Sequence, residues 1–323
     1  MMNRSVIATA TARQRRTAPI IGAGLNLAAD WVARSTAAGV VQAIRFNSAA
    51  NVTNYRHLDG LEGNISQDLT DGILGDGCLK FNIPSTDGAN SGAWRCPSNA
   101  AWVTDGQGFG TADVYVQYRL KLGPNRLLPA GDAVKFSIFG GYKPSSPNSS
   151  SSHTSNELVL INGSNSGALW AYRDTASGAT QLDRVDGNGI HLQTAIDRGA
   201  GFANIYDRYC LYESGPTASA GCWRLQEQVW FTIYVHYKLV NEGGAGVGNI
   251  FNLYVARNTE NSYTQLDDIV NFAILADPVD APLGPNGIWL LPYDTNRVSA
   301  TYSTYHKYDQ LIVSTQPIAC PLS

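Results

Sequence analysis

The sequence predicts an all-β fold: two antiparallel sheets packed face to face as a sandwich, behind an extended basic N-terminal arm. Three observations carry that expectation. Short apolar–polar alternations recur after residue 45, and successive side chains on a strand point to opposite faces. The 32 glycines and 14 prolines suit a fold with many turns. Helical spacing is confined to residues 28–44, through Trp31, Val32, Val40, Val41 and Ile44. Gly39 and β-branched residues weaken it there to a turn or two.

The strands follow in order. Residues 77–83 read GCLKFNI, with Leu79, Phe81 and Ile83 opposed to Cys78, Lys80 and Asn82. In DVYVQYRLKL (113–122), Val114, Val116, Tyr118, Leu120 and Leu122 share one face, and Tyr115, Gln117, Arg119 and Lys121 the other. A strand at 133–139 ends at Gly140-Gly141, and PSSPNSSSSHTSN (144–156) is a polar loop with no means of forming a core. Another strand begins at Glu157. At 230–239, Phe231, Ile233, Val235, Tyr237 and Leu239 oppose Trp230, Thr232, Tyr234, His236 and Lys238. Residues 251–256 return beside it as a hairpin across the glycine-rich turn 241–248. Strands at 288–291 and 307–314 complete the set. The arm takes residues 1–45, and one domain takes 46–323.

Charge is sparse, at 15% of 323 residues with a net −3, which argues against a nucleic-acid binder. No run of 18 apolar residues predicts a membrane span. The arm holds Arg4, Arg13, Arg15 and Arg16 and no acid before Asp30. Its basic cluster follows the apolar stretch instead of preceding it, so no secretory signal is expected. It reads either as a disordered leader or as a segment that docks on a partner with acidic patches. Cys78, Cys96, Cys210, Cys222 and Cys320 lack metal-site spacing. Cys78 with Cys96, or Cys210 with Cys222, could close a loop, but reduced thiols are the expectation.

The stretch GDGCLKFNIPSTDGANSGAW (75–94) resembles the first core strand of concanavalin A-like lectin and glucanase domains. Four further blocks resemble a family of uncharacterised tailed-phage and prophage proteins: SHTSNELVLING (152–163), GCWRLQEQVWFTIYVHYKL (221–239), NGIWLLPYDTNR (286–297) and TYHKYDQLIVSTQPIACP (304–321). The resemblance spans about residues 75–321 and leaves the arm outside. It implies a concanavalin A-like jelly roll. It also implies a virion structural protein (decoration, fibre or tail-associated), assembled in the host cytoplasm as a homo-oligomer and anchored to other virion proteins by its arm. The alternative is a polysaccharide lyase or other glycan-degrading enzyme of the same fold.

The residues weigh these readings. A retaining glycosidase needs two carboxylates about 5–5.5 Å apart. Glu157, Asp294 and Asp309 stand singly, and adjacent Asp267 and Asp268 face opposite ways on a strand. A lyase needs a group to neutralise the substrate carboxylate and a Tyr or His to move protons. Arg119, His236, Tyr302, Tyr305 and His306 are of those types. The strand motifs of alginate lyases are not matched, since NELV (156–159) has Asn where their Arg is expected, so no catalytic residue is assigned. Saccharide binding asks less: aromatic faces and planar polar groups suffice. Tyr115, Gln117, Arg119, Trp230, Tyr234, His236, Asn252 and Tyr254, with Tyr305 and His306, are the candidates, and a host surface polysaccharide is the candidate ligand. Asp/Asn/Gly loops at 183–188 and 294–296 are of a kind that binds Ca²⁺. The EF-hand spacing is absent, and no metal or cofactor is assigned.

Overall fold

The alternating segments at 113–122 and 230–239 form the two central strands of one sheet, and their neighbours build outward from them. A computed structural model describes residues 26–53, 56–58, 64–84, 92–96, 109, 113–124, 133–139, 157–162, 169–174, 226–240, 248–270, 287–292, 294–295 and 303–322. In chain order these give α1 (Leu27–Ser35), β1 (Val40–Ile44), α2 (Ala49–Thr53), β2 (Arg56–Leu58), β3 (Ile65–Asp68), β4 (Cys78–Ile83), β5 (Ala93–Cys96), β6 (Asp113–Leu122) and β7 (Ala133–Phe139). They continue as β8 (Glu157–Asn162), β9 (Leu169–Asp174), β10 (Trp230–Lys238), β11 (Ile250–Arg257), β12 (Thr264–Val270), β13 (Ile288–Leu290), β14 (Asp294–Thr295) and β15 (Thr304–Ser314).

Eight strands form one sheet in the order β12-β11-β10-β6-β15-β4-β3, with β1 also on β15. Seven form the other, β2-β5-β13-β7-β8-β9, with β14 on β7. Every named pairing is antiparallel, so the architecture is the expected two-sheet jelly-roll sandwich. The hairpin between 230–239 and 251–256 is present as β10–β11. Residues 27–44, grouped by sequence with the arm, are α1 and a strand of the larger sheet. The arm's four arginines lie outside the described residues.

The apolar series meet between the sheets. Val114, Val116, Tyr118 and Leu120 of β6 and Ile233, Val235 and Tyr237 of β10 are buried against Trp94, Phe136, Phe139, Ile288 and Leu290 of the second sheet. Two tyrosines tie the layers by polar contacts within that apolar space. Tyr118 Oη lies 2.7 Å from Ser137 Oγ, and the Tyr308 hydroxyl donates to the carbonyls of Phe136 (2.8 Å) and Leu291 (3.0 Å). Cys78, Cys96 and Cys320 are not disulfide-bonded, and Cys210 and Cys222 lie outside the described residues.

β15 is the longest strand, and it divides. Its first half pairs with β4, its second half with β1, and β6 runs along the other side. The division falls at a bulge: Asp309 to Ile312 on β15 faces only Arg119 to Gln117 on β6. The extra residue is accommodated by Gln310 at φ 51, in the left-handed region that non-glycine residues seldom adopt. Removing the Tyr308 hydroxyl leaves two buried carbonyls without this donor. Tyr308→Phe should therefore lower the unfolding free energy by about 1–2 kcal/mol with an unchanged m-value, measured by urea denaturation.

Candidate functional site

The outer face of the eight-stranded sheet is unusually polar, and its register sorts the side chains into four cross-strand rows. One row runs Ser314, Tyr115, His236, Asn252. The next runs Ile312, Gln117, Tyr234, Tyr254, and the third Asp309, Arg119, Thr232, Ala256. The fourth runs Lys80, Lys307, Lys121, Trp230.

The two middle rows are covered by the chain itself. Asn26 caps α1, its Oδ1 accepting from Ala29 N at 2.9 Å, and Asp30 pairs with Arg34 one turn on. That helix lays Trp31 and Arg34 on the sheet. Trp31 packs with Tyr234, Ile312 and Ile318. Arg34 donates to Gln117 Oε1 (2.5 Å) and Gln310 Oε1 (2.9 Å). Residues 315–322, leaving β15, supply the rest. Ile318 N donates to Tyr234 Oη, Gln117 Nε2 donates to Ala319 O (2.8 Å) and to the Tyr263 hydroxyl, and Arg119 donates to Leu322 O and Thr232 Oγ1. Gln117 and Arg119 are thereby 1% and 2% exposed. Burial and nearby Arg34 pull the Arg119 pKa down to about 10, so it stays charged at neutral pH. Among the described residues Arg119 has no carboxylate partner, and its Nε has no hydrogen-bond partner. A cleft of about 610 Å³ opens between α1 and the tail, lined among others by Asp30, Arg34, Ile318 and Cys320.

Three lysines abreast in the fourth row would repel one another. The end of β3 and the β3–β4 loop bring compensating charge: Asp71 binds both Lys121 (2.9 Å) and Lys307 (2.5 Å), and Asp68 binds Lys307 (2.9 Å). Despite the opposing cost of burial, the Lys307 contact and bonds from Thr70 hold the Asp68 pKa down at about 2. The same loop closes over Asp309, which accepts from Ile73 N (2.9 Å) and Gln310 N (2.7 Å). Burial, and to a lesser degree Asp76, pushes Asp309 up to about 7 against those two bonds.

The first row stays partly open: Ser314 is buried, and Tyr115, His236 and Asn252 are half-buried. His236 Nε2 lies 2.8 Å from Asp113 Oδ1, and Lys238 Nζ lies 3.1 Å from the other oxygen of that carboxylate. The Tyr115 ring stacks on His236 with centroids 4.1 Å apart and planes 9° apart. Burial first, then Asp113 and Tyr254, raises the Tyr115 pKa, so its hydroxyl keeps its proton. An ionised Asp113 can only accept, so Nε2 donates to it and a neutral His236 keeps its lone pair on Nδ1.

The sequence candidates therefore part company. Tyr115 and His236 sit at this corner, with Tyr254 half-buried in the adjoining row. Gln117, Arg119 and Tyr234 lie beneath α1 and the tail, and Trp230 is at the far row under Lys121. Tyr305 is half-buried between Lys80 and Lys307. His306 points inward, fully buried beside Phe136. Tyr302 lies outside the described residues. Asp113 and Lys238 were missed, though they end the same outward-facing series. Arg34, Tyr263 and the tail carried no signal, because their partners are remote in sequence. Among the described residues, no three His, Cys, Asp or Glu converge as metal ligands, and no helix is long and apolar enough to cross a membrane.

No family model matches the chain, and no curated protein matches it. Solved structures do. The PL-14 alginate lyase from Aplysia kurodai aligns at TM-score 0.54 and 11% identity, over 86% of this chain and 100% of that one. In fold, this chain is similar to the alginate lyases. The alginate lyase vAL-1 from Chlorella virus aligns less well, at TM-score 0.46 and 11% identity over 85% of this chain and 99% of that one. At these identities the likeness is one of jelly-roll architecture, and the site must be argued from this chain's own residues.

Asp309 makes the rows' electrostatics measurable. Its folded pKa of about 7 exceeds the ordinary 3.8, so the folded state holds the proton more tightly. Stability should then fall as pH rises from about 4 to about 7 and level off above, by on the order of 2–4 kcal/mol. Asp68 acts in a separate window, its contribution being lost as pH falls from about 4 through about 2. Urea midpoints across pH 4–8 should show the slope in the native protein and its loss in Asp309→Asn, whatever that variant's absolute stability.

Proposed function

We propose that this protein acts on an anionic polysaccharide, holding it at the Asp113–Tyr115–His236–Lys238 corner of the larger sheet, and that β-elimination is the reaction this corner is equipped for. The observation that carries the reading is the His236–Asp113 contact at 2.8 Å with Tyr115 stacked on the imidazole, on the accessible row of a polysaccharide-lyase-like jelly roll. In an elimination, a base removes the proton α to the uronate carboxylate. The C–H electrons form a C=C bond, the glycosidic C–O bond breaks, and an acid protonates the leaving oxygen. His236, oriented by Asp113, has the type and geometry of the base. Tyr115, held protonated, is of the type that serves as the acid. The Lys238 ammonium supplies positive charge for the substrate carboxylate, and the aromatic rings supply apolar faces for the sugar rings.

What supports a particle-bound role, with the arm docking on other virion proteins, is the sequence resemblance to tailed-phage proteins and the arginines at 4, 13, 15 and 16. That role and glycan handling are compatible, since attachment to a host surface uses the same chemistry.

Alginate and polygalacturonate test the reading. Calorimetry should show binding that weakens as salt rises, since Lys238 contributes charge. Asp113→Asn and His236→Ala should each lower the rate of double-bond formation, followed by ultraviolet absorbance, by roughly 100-fold. Binding without new absorbance would leave a glycan-binding module and remove the catalytic part. No binding to either polymer would remove the whole reading.

A further inference from the structure

The middle of the outer face raises a question the accessible corner does not answer. A sheet face buried under its own chain is most simply made of aliphatic residues. This one keeps Gln117, Arg119 and Tyr234, and Arg119 is buried without a carboxylate partner among the described residues.

The two pieces that cover these residues spring from one point. Val40, at the start of β1, pairs with Ser314, at the end of β15. One step beyond, Thr315 N donates to Gly39 O at 2.8 Å. Gly39 has φ +88, and a Cβ there would lie 2.7 Å from Gln316 Cγ. The turn out of α1 and the exit into the tail are thus nested at a single glycine. They are also joined at the far side by one side chain: Gln117 accepts from Arg34 through its Oε1 and donates to Ala319 O through its Nε2. Loss of either contact leaves the amide held by fewer bonds, the one to Tyr263 among them, and weakens the other.

The contacts that hold the cover are of a kind that a sugar chain could replace. The donors of the face, Gln117 Nε2, Tyr263 Oη and Arg119 Nη2, are met by the carbonyl oxygens of Ala319 and Leu322. Those oxygens stand where hydroxyl or carboxylate oxygens of a saccharide would make the same bonds. The packing is incomplete, with the 610 Å³ cleft between helix and tail and the unpartnered Arg119 Nε. Gln310 also holds its left-handed backbone while its Oε1 takes Arg34 Nη2, so a strained residue serves as the catch for the helix.

We propose that α1 and residues 316–322 form one hinged, autoinhibitory cover, and that its opening extends the glycan surface from the Tyr115–His236 corner across Tyr234, Gln117 and Arg119. The glycan part of this rests on the function proposed above; the hinged cover does not. The hinge is the Gly39–Thr315 junction, and the saccharide competes with the tail for the same donors.

Hydrogen exchange on the full chain, read by peptide mass, tests the cover without any ligand. Amides of 28–35 and 316–322 should exchange together, by an opening that leaves β6 and β10 protected. Arg34→Met removes the two charge-assisted bonds from helix to sheet, and the Asp30 pair within the helix, and should speed exchange in the tail as well as in α1 by about tenfold, with β6 and β10 unchanged. Trp31→Ala is the second variant, with β6 and β10 as the internal control that the sandwich remains folded. A tail unaffected by both helix variants, or a cover that opens only with the whole sheet, overturns the proposal. Alginate then tests the competition: alkylation of Cys320, which lines the cleft, should become faster when alginate is added. Slower alkylation with alginate bound would show the polymer lying over a closed cover and would overturn the extended surface. If helix and tail open together but neither the native protein nor Arg34→Met binds alginate, the cover stands and the glycan reading falls.

Discussion

Polar groups buried on a sheet face must be hydrogen-bonded, and on the outer face of the larger sheet that requirement organises everything laid upon it. Gln117 is the centre of this arrangement. Its carbonyl oxygen is taken by Arg34 of the helix and its amide by Ala319 of the tail. Arg34 in turn reaches Gln310, which exists as an extra residue only because β15 bulges there. The bulge also presents Asp309 to the backbone of the β3–β4 loop. A single register irregularity therefore positions the helix on one side and the loop on the other. The sandwich itself needs none of this, because its apolar core is closed between the sheets.

The fold was legible because a strand has a period of two. In β6 and β10 the alternation named both faces residue by residue, and the structure keeps that assignment, with Val116 and Ile233 inward and Gln117 and Tyr234 outward. What alternation cannot state is what lies on a polar face. Outward and solvent-exposed were the same thing to the sequence, yet Arg119 is outward and 2% exposed. The cover joins residues 83 and 276 positions apart in the Arg34–Gln117 and Arg34–Gln310 contacts, and no local pattern carries such pairings. His306 shows the complementary gap. Its residue type made it a binding candidate, but the strand phase of Tyr308 places it inside, where it meets Phe136 and the Tyr308 hydroxyl.

The distribution of charge along the four rows separates structural from functional polarity. In the fourth row Lys121 and Lys307 find carboxylates in Asp68 and Asp71, so these two charges are balanced locally and fix the loop. In the first row Asp113 serves both His236 and Lys238 at the accessible end of the sheet. In the third row, among the described residues, Arg119 Nη1 and Nη2 meet a hydroxyl and a backbone carbonyl, neutral acceptors that do not balance its charge, and its Nε meets none. A buried cation held this way costs more than one paired with a carboxylate, and more again than an aliphatic residue of similar volume. That cost is intelligible where an anionic group can take the place of the carbonyl. The same exchange would explain why the covering tail is held by backbone oxygens and not by an acidic side chain: an ion pair at Arg119 would close the face far more firmly, and a face meant to be uncovered needs a weaker occupant.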